Sequence, residues 1–225
     1  MSSDTDASLD KTVLAVSFAS AVLYLFQVRS SPSYSRTLVK TSSTALLSYL
    51  SHLLGGPQFL TGALALSALG DAFLAWDGDL AFLCGLSSFM VAHVLYILLF
   101  LQQQHAAGFQ GLLEGGWRTA MAGGLAVLVP VMIATLMPKV GNALRVPVLV
   151  YSLTICVMAL TALTLENGRV IVGATMFTAS DSILAADKFL VLETEGYRDW
   201  MQRAVWVLYY GGQALITLRF VEPAW

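Results

Sequence analysis

Five ionisable side chains stand inside long apolar runs: Lys40, Asp71, His93, Asp181 and Lys188, with Asp187 beside the last. A carboxylate at the centre of a bilayer costs about 2.5–3.5 kcal/mol even on the gentler insertion scale. Such groups therefore face a bundle interior or a wet cavity, and they pair with something. Two buried carboxyls are the equipment of acid–base hydrolysis, in which one donates a proton and the other stabilises a cation and takes a proton from water. An apolar surrounding keeps one of them protonated near neutrality, and a nearby cation holds the other ionised. Asp71 and Asp181, with Lys188, supply such a pair. The plainer alternative pairs each aspartate with one lysine as helix glue, a task that Ser or Asn performs at lower cost.

The elements that must carry these residues follow from composition. The chain has 225 residues, 57% apolar and 12% charged, with 12 basic and 14 acidic side chains. A soluble domain carries about 25% charge, so this chain cannot cover a water-soluble surface. The near balance of charge leaves no basic field for nucleic acid, and the apolar content excludes disorder. A membrane span takes roughly 20 mostly apolar residues. Eight stretches qualify: 12–28, 37–54, 59–76, 80–101, 119–137, 146–165, 170–192 and 202–221. The fold class is thus all-α, a polytopic membrane protein built as a bundle of eight transmembrane helices. A single transmembrane domain, 12–221, lies between a short polar N-terminal tail, 1–11, and a C-terminal tail, 222–225. The second stretch is the most polar, with Lys40, His52 and several Ser and Thr, and would also suit an interfacial helix. The stripe of Leu46, Leu47, Leu50, Leu53 and Leu54 favours a span.

Turn residues punctuate the spans. Gly55-Gly56-Pro57 and Asp77-Gly78-Asp79 mark two turns, Pro138 and Pro147 bracket another, and Asn167-Gly168-Arg169 a fourth. Trp76, Trp117, Trp200 and Trp206 fall near span ends, where an indole prefers the headgroup region. Gly123-Gly124 and Gly211-Gly212 inside spans are expected to permit close helix packing. Asp4, Asp6 and Asp10 stand where a signal peptide would carry positive charge, so the first span is expected to remain as an anchor. Lys11, Arg118, Arg169 and Arg219 fall on the N-terminal side, against Arg29, Arg36, Lys139, Arg145, Arg198 and Arg203 opposite. That near balance fixes no orientation. Cys84 and Cys156 lie in apolar spans as packing residues, and no internal repeat of fixed period is visible.

With eight alternating spans, the polar residues fall at related depths. Lys40, Asp71, His93, Asp181, Tyr209, Tyr210 and Gln213 occupy a band roughly 5 to 20 Å below the face opposite the N-terminus, at 1.5 Å rise per residue. One polar cavity opening to that face is expected. Asp181 and Lys188 share a helix face two turns apart; His93 with Tyr96, and Tyr210 with Gln213, are i, i+3 neighbours. Asp187 points elsewhere, and His52 and His105 lie near span ends in solvated positions.

Several of these segments carry a family resemblance. The run Leu66-Ser-Ala-Leu-Gly-Asp-Ala-Phe-Leu-Ala-Trp76, continued by Gly85, Phe89, His93 and Tyr96, resembles the Gly-Asp motif of the YhhN-like lysoplasmalogenase family. Phe177-Thr-Ala-Ser-Asp-Ser-Ile-Leu-Ala-Ala-Asp-Lys-Phe189 resembles its Ser-Asp motif with the trailing Lys-Phe. Tyr209-Tyr210 with Gln213 is similar to its last-span pattern, and Leu38-Val-Lys40 to its second-span lysine. The matched pieces cover roughly a third of the chain, in the family's order. Family members commonly follow that lysine with a proline-containing segment; this chain has Thr41-Ser42-Ser43.

The resemblance implies an eight-span enzyme that hydrolyses the vinyl ether bond of lysoplasmalogens, releasing a fatty aldehyde and glycerophosphoethanolamine or glycerophosphocholine. It implies Asp71 and Asp181 as catalytic residues, and Lys40, His93, Tyr96, Lys188, Tyr209, Tyr210 and Gln213 as substrate-binding residues. For a eukaryotic member it also implies the endoplasmic reticulum membrane. The chemistry suits the residues: protonating the β-carbon of an enol ether gives an oxocarbenium ion, water attacks the α-carbon, and the hemiacetal collapses. No metal or other cofactor is required, and three scattered His and two Cys in apolar spans make no metal site. The partners expected are the lysoplasmalogen lipid and the bilayer, with no nucleic acid. Two other functions use membrane aspartates: a proton-coupled carrier, for which the repeat is missing, and an intramembrane aspartyl protease. For the protease, Asp181 stands in Ala-Ser-Asp instead of Tyr-Asp, and no Pro-Ala-Leu signature is present.

Overall fold

The computed structural model describes residues 2–104, 108–192 and 196–221, with side chains from residue 8 onward. His105, the tail 222–225 and the side chains of Asp4 and Asp6 lie outside the described residues. Among those described there are eight α-helices and no strand. They are α1 (Ser2–Gln27), α2 (Tyr34–Leu53), α3 (Gln58–Leu74), α4 (Asp79–Gln102), α5 (Trp117–Leu136), α6 (Asn142–Leu163), α7 (Gly168–Phe189) and α8 (Arg198–Val221). A short 3₁₀ turn, Gly108–Leu112, precedes α5. The helix ends lie within a few residues of the expected spans, except that α1 begins at Ser2, so the polar segment before residue 12 is helical.

Six of the helices are long and apolar enough to cross a membrane: Ser8–Gln27 of α1, and α4 to α8. Helix α3 is a shorter apolar helix. The chain is a polytopic membrane protein, a bundle of helices. Helix α2 carries the weakest hydropathy because its inward face is polar: Lys40, Ser43, Thr44, Ser48 and Ser51 are buried alongside Leu47 and Leu50. It packs between α1 and α3 and also against α8, so its polar side chains face protein instead of lipid.

Local chemistry sets the boundaries. The Ser33 hydroxyl accepts from the Arg36 N–H at 3.2 Å and caps α2. The Asn167 side chain accepts from the N–H groups of Arg169 and Val170 and caps α7, satisfying donors that a helix N-terminus leaves open. Gly78, at φ 109°, makes the tight turn between α3 and α4. Pro147, expected to bound a loop, lies inside α6; Gly141 precedes that helix, and membrane helices tolerate such a proline.

Two close approaches position the site. At the α7–α8 crossing, a Cβ on Gly212 would lie 2.6 Å from the Gly173 carbonyl oxygen. The two backbones are therefore in near contact, as small residues allow in membrane packing. In α3, a Cβ on Gly70 would fall 2.6 Å from the Phe89 ring; the glycine beside Asp71 makes room for an aromatic of α4. Gly123 and Gly124, in contrast, meet nothing within 4 Å, so the close packing expected of that pair is not made within the described residues. Helix α5 lies at the periphery, with Leu136 its buried residue and α6 and α7 its main helical neighbours.

Candidate active site

Asp71 projects from α3 into the gap between α2 and α8 and is almost wholly buried. Its Oδ2 accepts hydrogen bonds from the Tyr209 hydroxyl at 2.7 Å and the Thr44 hydroxyl at 3.0 Å. The Lys40 ammonium stands 3.4 Å from Oδ1, itself buried, and lies 5.7 Å from the centre of the Tyr24 ring. Lys40 and Thr44 are one turn apart on α2, which is why a single helix face delivers both. Three helices thus converge on one carboxylate whose charge has a matching cation.

Asp181 projects from α7 and has a different setting. Its Oδ2 lies 3.2 Å from His93 Nε2 of α4 and accepts from the Tyr151 hydroxyl of α6. The Tyr151 hydroxyl is also 3.2 Å from His93 Nε2. His93 is fully buried, edge-on to the Phe177 ring at 4.7 Å between centres. The cation expected for Asp181 is elsewhere. Lys188 lies two turns along α7, about 10 Å at 1.5 Å per residue, and its ammonium is 4.0 Å from Asp79 and 5.2 Å from the centre of the Phe82 ring.

Both aspartates line one cavity of about 170 Å³, together with Lys40, Tyr151 and Tyr209. The remaining wall is mostly apolar, with Phe82, Leu86 and Phe89 from α4, Leu128 and Met132 from α5, Ile155 from α6 and Phe189 from α7, and it also carries the hydroxyls of Ser152, Thr178, Ser180 and Ser182. Trp206, expected at the headgroup level, is buried and lines this cavity, its indole N–H donating to the Ala21 carbonyl at 2.8 Å. It lies two turns inside α8, on the inner face.

The other residues singled out in the sequence stand around this centre. Tyr96 donates to Gln213 Oε1 in the buried core, and Tyr210 shares a hydrogen bond of 2.8 Å with Ser17 of α1; none of these four lines the cavity. Asp187, set aside on helical phase, is bound by Arg198 at 2.7 Å and Gln202 at 3.2 Å, tying α7 to α8. The geometry adds Tyr151 and Thr44, which the sequence reading did not name. Tyr151 near the start of an apolar span reads as an interfacial aromatic, and threonine in a membrane helix ordinarily satisfies its hydroxyl on its own backbone. Among the described residues no three His, Cys, Asp or Glu gather as a metal-binding group.

The YhhN family model matches residues 35–220, a stretch that contains both aspartates and every residue just described except Ser17, Ala21 and Tyr24. The chain is 32% identical over 165 residues to human lysoplasmalogenase TMEM86B, covering 73% of this chain and 64% of that one. It is 33% identical over 171 residues to a lysoplasmalogenase of Mycobacterium bovis, covering 72% of this chain and 60% of the relative. A pig lysoplasmalogenase TMEM86B is 32% identical over 212 residues, covering 89% and 82%. The match thus spans less than two thirds of the length of the human and mycobacterial relatives. No solved structure matches the chain.

Proposed function

The chain belongs to the YhhN family, and from that premise we propose that it is a lysoplasmalogenase, hydrolysing the vinyl ether bond of 1-alkenyl lysoglycerophospholipids. The observation that carries this reading is the pair of carboxyls, Asp71 and Asp181, on different helices but lining one largely apolar cavity. Relatives at 32–33% identity are lysoplasmalogenases by name. The endoplasmic reticulum membrane is the proposed location, supported by the family resemblance alone.

The two carboxyls divide the work by their surroundings. Lys40 balances a negative Asp71 at 3.4 Å, so Asp71 serves as the carboxylate. Asp181 faces the hydroxyl of Tyr151 and the imidazole of His93, with no lysine or arginine beside it among the described residues, so it serves as the acid. Asp181 gives its proton to the β-carbon of the vinyl ether; the π pair forms the new C–H bond and leaves an oxocarbenium ion. Asp71 stabilises that cation and takes a proton from water as the water oxygen bonds to the α-carbon. In the resulting hemiacetal, Asp71 returns its proton to the departing glycerol oxygen as the C–O bond breaks. Asp181 takes the hemiacetal hydroxyl proton, the aldehyde forms, and both carboxyls are reset.

The apolar wall formed by Phe82, Leu86, Phe89 and Met132 suits the hydrocarbon next to the reacting bond. Lys188, beside Phe82 near the cavity and only loosely paired with the exposed Asp79 at 4.0 Å, is the cation assigned to the headgroup phosphate, because Lys40 is held by Asp71 in a buried pair. Purified protein in detergent, supplied with 1-alkenyl lysoglycerophosphoethanolamine, should release one fatty aldehyde per lipid consumed. Lipid left intact, with no aldehyde formed, would refute the assignment and leave a carrier or a structural protein.

A further inference from the structure

Asp181 is gripped by two side chains whose bonds both fall on the same oxygen. Oδ2 receives the Tyr151 hydroxyl and lies 3.2 Å from His93 Nε2, while the residue as a whole lines the cavity. His93 itself does not line that cavity; it stands behind Asp181, fully buried. Its other ring nitrogen, Nδ1, is buried without a hydrogen-bond partner. Nε2 is the ring nitrogen aimed at the carboxyl, so with its proton on Nε2 His93 is a donor to Asp181. Its ring packs against Phe177 at 4.7 Å and Tyr151 at 5.3 Å between centres.

We propose that Tyr151 and His93 are positioning residues which fix the Asp181 carboxyl so that Oδ1 carries its proton toward the cavity. This rests on the assignment of Asp181 as the acid in vinyl ether hydrolysis. A protonated carboxyl has one acceptor oxygen and one hydroxyl oxygen, and rotation about Cβ–Cγ would exchange them. Two donors converging on Oδ2 mark it as the acceptor and stop that exchange. When the Oδ1–H bond breaks and the new C–H bond forms on the β-carbon, the carboxyl becomes an anion. The same two bonds then become charge-assisted and about twice as strong. They are stronger in the transition state than in the ground state, which is the condition for raising turnover instead of binding.

The test uses the purified full-length protein and aldehyde release from 1-alkenyl lysoglycerophosphoethanolamine. Tyr151→Phe removes one donor and should lower kcat by about tenfold or more while KM stays within about twofold. His93→Gln keeps a side-chain N–H and should retain about tenfold more turnover than His93→Leu. In an Asp181→Asn background, Tyr151→Phe should cost less than about twofold, because its effect passes through the carboxyl. Full kcat in folded Tyr151→Phe, or a raised KM at unchanged kcat, would overturn the proposal. If Tyr151→Phe does not fold, the His93 comparison decides alone, and equal losses in the Gln and Leu variants overturn it. A wild-type protein that releases no aldehyde defeats the hydrolase assignment and this proposal together; an active wild type with unaffected variants defeats only the positioning role.

Discussion

Lys40 and Asp71, on the neighbouring helices α2 and α3, form an ion pair of 3.4 Å in which both side chains are almost wholly buried. An ammonium and a carboxylate taken out of water together are sustained by mutual attraction and further hydrogen bonds, here from Tyr209 and Thr44 to Asp71. Breaking such a pair by removing one partner costs about 3–5 kcal/mol, because the survivor is left buried and unbalanced. The pair also commits Lys40 to the carboxylate.

The consequence separates two roles for that lysine. With its ammonium on Asp71, Lys40→Met should lower kcat by about tenfold or more and leave KM for the lysolipid within about twofold. Steady-state kinetics of the purified variant decide it. A raised KM at unchanged kcat would instead place the ammonium on the headgroup phosphate.

Four of the residues at this centre stand out in the sequence, and for specific reasons. Asp71, Asp181, Lys40 and His93 were legible because an ionisable group in an apolar run has few places to go. The partner of Asp181 was not: helical phase puts Lys188 on the same face of α7, but two turns of rise carry it to Asp79 and Phe82. Tyr151 was hidden because a tyrosine near a span end is ordinary in a membrane protein. Helix α2 was the hardest element to place, since the residues that lower its hydropathy, Lys40, Ser43 and Thr44, are those it turns toward the site.

The two aspartates should behave as one unit. General acid–base groups contribute about 10²- to 10⁴-fold each, and cooperating groups are not additive. Asp71→Asn and Asp181→Asn should each remove nearly all turnover, and the double variant should be little worse than either single one. Multiplication of the two losses would show that they act independently.

Substrate discrimination follows from the hydroxyls in the cavity wall. Ser152, Thr178 and Ser182 donate to carbonyls of their own helices, and Ser180 donates to the Val205 carbonyl. None is bonded to a histidine or carboxylate that would activate it as an acyl acceptor. A 1-acyl lysophospholipid of the same chain length should therefore inhibit competitively and remain uncleaved. Release of free fatty acid from it would contradict this.

Packing at the α7–α8 crossing gives a stability prediction with an internal control. A Cβ on Gly212 would collide with the Gly173 carbonyl at 2.6 Å, whereas a Cβ on Gly123 meets nothing within 4 Å. Overpacking of a tight contact costs about 1–3 kcal/mol. Gly212→Ala should lower the thermal midpoint in detergent by several degrees, and Gly123→Ala should leave it unchanged or raise it. Equal shifts in the two variants would show that the crossing is not close.

The most direct measurement is the isotopic composition of the product. Lysoplasmalogen hydrolysed by the purified protein in deuterated water should give a fatty aldehyde carrying one deuterium at the carbon next to the carbonyl, the carbon that Asp181 protonates. Turnover should be slower than in ordinary water, and Asp181→Asn should form labelled aldehyde at no more than about a hundredth of the wild-type rate. Aldehyde released without that deuterium, or labelled aldehyde formed at the wild-type rate by Asp181→Asn, would contradict acid catalysis by Asp181.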